Sequence, residues 1–219
     1  MAMSLRVVVP PHPLIGHWLT VLRDQHTPQP LYGTAMAELG RWLTYEAIRD
    51  WLPHRRVPVQ TDLATTEGEV VDGTVPLLAL PVLRQGLGLW SGAQTVLPAA
   101  RIAPLLIGPD AVIDGLPQSI AAGDGVLVFC DQVAGGQQME TLLDALAARG
   151  VQGPRLRLIT ALTASAGLKR LGERFPELTI YCACIDAEVN AAGRIVPGIG
   201  AVAERLFGVA SVESQVAAP

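Results

Sequence analysis

The chain has 219 residues, of which 50% are hydrophobic and only 16% charged, and its formal net charge is −4. With no Lys/Arg run, it excludes a charge-driven hold on nucleic acid, and its apolar excess excludes a solvated, disordered chain. The length fits one α/β domain spanning 1–219, and the apolar excess predicts burial between subunits and therefore a homo-oligomer, a dimer or higher.

The start, MAMSLRVVVPPHPLIGHW, lacks a charged region followed by a continuous apolar one, and Pro10, Pro11 and Pro13 interrupt it, so no signal peptide is expected. Pro, Gly or charge breaks every apolar run before the roughly 18 residues that a membrane span needs. The expected location is cytoplasmic. Leu31, Ala35, Leu39, Trp42 and Leu43 recur at helical spacing, predicting a helix from Leu31 to Trp51 with its start signal at Thr27-Pro28. β-Branched residues on both sides of Glu67-Gly68 then predict a hairpin or arm projecting from the body.

TVPLLALPVL reads as a buried strand, GLGLWSGAQTVL as a glycine-opened helix and RIAPLLI as a second strand. Strand and helix then alternate: GVLVFC, the helix QQMETLLDALAARG ended by Gly150, RLRLITALTA, the helix SAGLKRLGERF capped by Ser165, and TIYCACI. Such alternation predicts a mostly parallel sheet covered by helices, with ligands at the carboxyl ends of the strands. Cys130, Cys182 and Cys184 lack metal or disulfide spacing and read as reduced and buried, and the four histidines are scattered, so no metal centre of protein ligands is expected.

Four strings occur in order: HPLIGHWLTVLRD from His12, LTYEAIRD from Leu43, LPVLRQGLGLWSG from Leu80 and IDAEVNAAGRIVPGIGAVAERLFG from Ile185. Together they resemble the uracil phosphoribosyltransferase family. The resemblance implies a type I phosphoribosyltransferase fold: a mostly parallel sheet flanked by helices, a hood made from the N- and C-terminal segments, and a projecting β-arm used in dimerisation. It also implies transfer of a phosphoribosyl group from phosphoribosyl pyrophosphate to uracil, giving UMP and pyrophosphate, with magnesium on the phosphates wherever that substrate binds.

Three segments carry the implied site. The family's pyrophosphate loop L-R-A-G-L-G is similar to Leu83-Arg84-Gln85-Gly86-Leu87-Gly88, so Arg84, Gly86 and Gly88 are its counterparts and Gln85 replaces a small residue. The family's phosphate loop D-P-M-L-A-T-G-G-S is similar to the stretch from Cys130 to Gln138, in which Asp131, Ala134, Gly135 and Gly136 remain as a loop remnant. Aligned without gaps, Cys130 takes the aspartate position and the Thr and Ser hydroxyls are lost. The base pocket implied by the resemblance is Ile195, Val196, Pro197, Gly198 and Gly200, where Arg194 and Ala201 replace a tyrosine and an aspartate.

After RIAPLLI the family carries a long basic, flexible segment, whereas here Gly108 to Gly115 holds no Arg or Lys and reads as a tight connection. These departures lead to the expectation of a catalytically weak or inactive homologue, retained for sensing uracil or a nucleotide or as a scaffold for a protein partner. The alternative is an active uracil phosphoribosyltransferase working in pyrimidine salvage with rewired contacts.

Overall fold

The computed structural model describes residues 5–74, 76–108 and 112–208. The chain opens with β1 (Arg6–Val8), α1 (Pro13–Arg23) and α2 (Gln29–Ile48), followed by the antiparallel pair β2 (His54–Gln60) and β3 (Thr65–Val71). Next come β4 (Leu77–Pro81), α3 (Gly86–Ala93), β5 (Arg101–Ile102), and the short antiparallel pair β6 (Leu106–Ile107) and β7 (Ile113–Asp114). The second half runs β8 (Gly125–Val133), α4 (Gln137–Ala147), β9 (Leu156–Ala164), α5 (Ser165–Arg174) and β10 (Thr179–Asp186). It closes with β11 (Glu188–Val189), β12 (Ile195–Val196) and α6 (Val202–Phe207).

Six strands form one parallel sheet in the order β1-β10-β9-β8-β4-β5. The near-continuous apolar runs are its inner strands, as expected for a sheet covered on both faces. Alternation along β8 sorts the two cores: Leu127 and Phe129 pack on the side of α1, α2 and α3, whereas Val126, Val128 and Cys130 pack on the side of α4 and α5. α2 lies against α3 at backbone distance, since a Cβ on Gly40 would stand 1.9 Å from the Leu89 carbonyl oxygen and one on Gly92 1.7 Å from that of Ala37. Among the described residues no helix is long and apolar enough to cross a membrane.

The long helix begins after Pro28 as expected, although Thr27 does not cap it: its hydroxyl donates to the Val21 carbonyl at 2.7 Å. The arm exists, but its turn is at residues 61–64. Glu67 and Gly68 sit within β3 opposite Pro58 and Val57. The Thr61 hydroxyl fixes that turn by accepting from the Ala64 N–H at 3.1 Å and donating to the Ala64 carbonyl at 2.7 Å.

RIAPLLI is not one strand. β5 stops at Ile102, and the chain leaves the sheet after Leu105 to form β6. Ala103 and Leu105 still donate to the Ala79 and Pro81 carbonyls at 2.9 Å, so the missing N–H of Pro104 points to the open edge, where a proline is tolerated. Ser165 is the first residue of α5, not its cap; Ala164 occupies the cap position without a side-chain bond. β6 and β7 pair antiparallel, and the Gly108 N–H donates to the Val112 carbonyl at 2.9 Å; the tight connection expected from Gly108 to Gly115 falls in part on residues 109–111, which lie outside the described residues.

Candidate active site

The chain visits β5 on one side of β4 and then returns to β8 on the other, so the strand order reverses at β4. Beyond the carboxyl ends of the strands at such a reversal, the loops diverge and leave a crevice. A cleft of about 720 Å³ lies there, lined by Arg84 and Gln85 after β4 and by Asp131, Gly135 and Gly136 at the end of β8. A second lobe of about 390 Å³ is lined by Arg194, Ile195, Val196, Pro197 and Gly200. Gln85, Asp131 and Ala134 border both lobes. Three segments far apart in sequence thus meet around one space.

The loop after β4 turns through a cis Leu83–Arg84 peptide. Arg84 is exposed, with its guanidinium 5.9 Å from the centre of the Phe207 ring of α6. Its backbone N–H donates to Gln85 Oε1 at 2.9 Å. Gly86 and Gly88 serve packing and do not line the cleft. A Cβ on Gly86 would stand 2.4 Å from the Phe129 carbonyl oxygen, and one on Gly88 2.8 Å from Met36 Cγ.

β8 runs three residues past Cys130, to Val133, and Cys130 to Val133 all border the larger lobe. Cys130 is 3% exposed and packs in the core shared with α4 and α5, where burial pushes its thiol pKa up. Asp131 is half-buried and borders both lobes, and its removal from water pushes the carboxyl up to about 6. Cys130 and Asp131 both border the larger lobe, and of the two only Asp131 brings a carboxylate to it. Gly136 then takes a left-handed conformation, φ 79°, and caps α4 without a side-chain bond. Gly136, Gln137 and Gln138, where α4 starts and its first amides have no partner within the helix, line the larger lobe.

The segment after β12 turns through a cis Val196–Pro197 peptide. Residues that sequence reasoning did not assign to the site hold it in place. Arg23, the last residue of α1, donates to both carboxylate oxygens of Asp186 at 3.0 and 2.7 Å and to the Gly198 carbonyl at 3.1 Å. Asp186 in turn accepts from the Gly198 N–H at 3.0 Å. Burial opposes ionisation of Asp186, but Arg23 and the Gly198 amide outweigh it and hold the carboxyl below its ordinary range. The Ile199 carbonyl accepts from the Tyr32 hydroxyl at 3.1 Å and from Arg205 at 3.0 Å. Gly198 therefore supports the segment from behind, while Ile195, Val196, Pro197 and Gly200 line the lobe. The only sequence signal for these partners lay in the strings that begin at His12 and Ile185.

Among the described residues Asp131 is the single carboxylate and Arg84 and Arg194 are the two cations bordering the lobes. Among the described residues no group of three or more His, Cys, Asp or Glu could hold a metal ion. One carboxylate in an open cleft fits a magnesium ion carried mainly by phosphate oxygens and water, which is how Mg²⁺ usually sits at phosphate substrates.

The family model described as uracil phosphoribosyltransferase matches residues 9–209. The chain belongs to this family. A uracil phosphoribosyltransferase of Synechococcus elongatus is 46% identical over 95% of this chain and 99% of the relative. One from Nicotiana tabacum is 39% identical over 92% of this chain and 93% of the relative. A solved protein structure from Aquifex aeolicus superposes with a TM-score of 0.82 at 29% identity, covering 93% of this chain and 99% of that one. The fold is the type I phosphoribosyltransferase fold that the resemblance implied.

These relatives overturn one expectation. A weak or inactive homologue kept as a sensor or scaffold does not fit a chain so similar, from end to end, to proteins named for the activity. The active alternative takes its place. The inactive reading rested on the joint loss of the acidic and hydroxyl groups of the phosphate loop and of the basic flexible segment; Asp131 brings a carboxylate to the cleft, and residues 109–111 of that segment lie outside the described residues.

Proposed function

We propose that this protein is a working uracil phosphoribosyltransferase. The carrying observation is the two-lobed cleft in which Asp131 lies between the Arg84 loop, the Gly135-Gly136 turn and the segment from Ile195 to Gly200. In the reaction the bond from ribose C1′ to the pyrophosphate oxygen breaks and pyrophosphate leaves with the electron pair. C1′ then bonds to uracil N1, which gives up its proton. Little covalent chemistry falls to the protein; its work is positioning and stabilisation of charge.

Arg84 pairs with the departing pyrophosphate as a guanidinium suited to two oxygens. Ala134, Gly135 and Gly136, with the free amides that open α4, take the 5′-phosphate, and a helix N-terminus favours that negative charge. Asp131 accepts from the ribose hydroxyls at the junction of the lobes. Main-chain groups from Ile195 to Gly200 read uracil. Magnesium would meet this chain at Asp131, and when bound it neutralises phosphate charge.

One domain covers residues 1–219, the location is cytoplasmic, and the working form is a homo-oligomer. The exposed β2–β3 arm, whose strands carry mostly exposed side chains, supports assembly through that element. The reading is tested by supplying uracil, phosphoribosyl pyrophosphate and magnesium and following UMP and pyrophosphate together. Equal amounts of both support it; pyrophosphate without UMP, or neither product, contradicts it.

A further inference from the structure

Gln85 occupies an unusual place in the cleft. It is the cap residue of α3, yet its side chain makes no capping bond to that helix. Its Oε1 instead accepts the Arg84 backbone N–H at 2.9 Å, and Gln85, like Asp131, borders both lobes. A backbone amide beside an arginine, on a loop facing a cleft, is a ready donor for an anion oxygen. Here that donor is already taken by a neutral oxygen from the neighbouring residue.

We propose that Gln85 is a built-in competitor for the pyrophosphate group. Its carboxamide oxygen holds the Arg84 amide and must rotate away before a phosphate oxygen can take that N–H. The exchange is favourable because a hydrogen bond to a charged acceptor is stronger than one to a neutral oxygen. It still subtracts from affinity, since a bond already made must first be broken. Gln85 thereby sets the affinity for pyrophosphate-bearing ligands. The inference rests on reading this cleft as a phosphoribosyltransferase site.

Calorimetric titration of the full chain with magnesium pyrophosphate tests it, using Gln85→Ala, Gln85→Met and Gln85→Glu. Ala removes the side chain, Met keeps its length without the acceptor, and Glu keeps the acceptor and adds a negative charge. Both Gln85→Ala and Gln85→Met should bind about 3- to 10-fold more tightly than the natural protein, which is the range one ordinary hydrogen bond spans. Gln85→Glu should bind at least about tenfold more weakly through like-charge repulsion. Retained circular dichroism shows that each variant folds.

Unchanged or weaker binding by Gln85→Ala and Gln85→Met overturns the proposal, and so does tightening by Gln85→Ala alone, which would indicate bulk and not hydrogen-bond competition. Failure of the two claims is distinguishable. UMP formation with unaltered pyrophosphate affinity in the variants defeats this inference alone. Tighter pyrophosphate binding in a protein that makes no UMP leaves the competitor standing and removes the assigned reaction.

Discussion

Arg23 and Asp186, 163 residues apart, meet in a two-pronged ion pair with bonds of 3.0 and 2.7 Å. Arg23 ends α1 and Asp186 ends β10, so the pair ties the first helix to the last strand of the sheet and, through Gly198, to the wall of the smaller lobe. Asp186 is 6% exposed, so removing Arg23 strands a buried carboxylate. Arg23→Met should cost about 3 kcal/mol in denaturant unfolding and raise KM for uracil more than KM for phosphoribosyl pyrophosphate. Because the Asp186 carboxyl is held below its ordinary range, the pair's stabilisation is present above about pH 4 and is lost as pH falls further. An unfolding midpoint that Arg23→Met leaves unmoved at pH 7 would contradict this role.

Asp131 behaves in the opposite sense. Its folded carboxyl is pushed up to about 6, so ionising it favours the unfolded chain: its contribution to stability is best below about pH 4 and declines as pH rises through 6. Asp131→Asn should therefore be more stable than the natural protein at pH 7.5, by about 1–2 kcal/mol after allowance for its partial exposure, and equal to it near pH 4. Activity should move the other way. UMP formation should fall as pH drops below about 6, and Asp131→Asn should lose on the order of 100-fold in kcat/KM together with that acidic limb.

Arg84 is exposed and borders the larger lobe, with its guanidinium 5.9 Å from the centre of the Phe207 ring. Arg84→Ala should lower kcat by about 10²- to 10³-fold, the range for removal of one group that stabilises developing charge, with little change in unfolding midpoint. A kcat within a few-fold of the natural value would show that pyrophosphate leaves without it.

Two glycines of the site separate packing from ligand approach. Gly86→Ala places a Cβ 2.4 Å from a carbonyl oxygen of β8, a rigid neighbour, and should destabilise the protein by about 1–3 kcal/mol. Gly135→Ala meets nothing within 4 Å and should leave the unfolding midpoint within a degree or so while weakening phosphate binding. Thermal unfolding of the two variants side by side checks the contrast.

The inner strands and covering helices were legible because their residues obey local patterns: β4, β8, β9 and β10 are apolar runs, and α2 repeats its buried residues at helical spacing. The turn of the arm was not, since it depends on one threonine hydroxyl closing onto Ala64, and the Glu67-Gly68 pair resembles a turn more closely than Thr61 does. RIAPLLI hid its break because Pro104 is harmless only on an edge strand, and edges are set by topology.

The site was partly legible. Arg84, Asp131, Gly135 and the segment from Ile195 to Gly200 stand out by residue type and order, and they surround one cleft. Cys130 and Asp131 both border the larger lobe, so residue order alone did not say which of them stands for the family's carboxylate. Arg23 and Asp186 lie within the strings that begin at His12 and Ile185, but no local pattern links residues so distant in the chain as partners.

The central claim is that the natural protein makes UMP. The measurement that tests it most directly is the steady-state rate of UMP formation by the purified chain with uracil, phosphoribosyl pyrophosphate and magnesium. The account predicts turnover on the order of 1 per second or faster, within the ordinary range for enzymes. No UMP above that of a heat-inactivated control would contradict it.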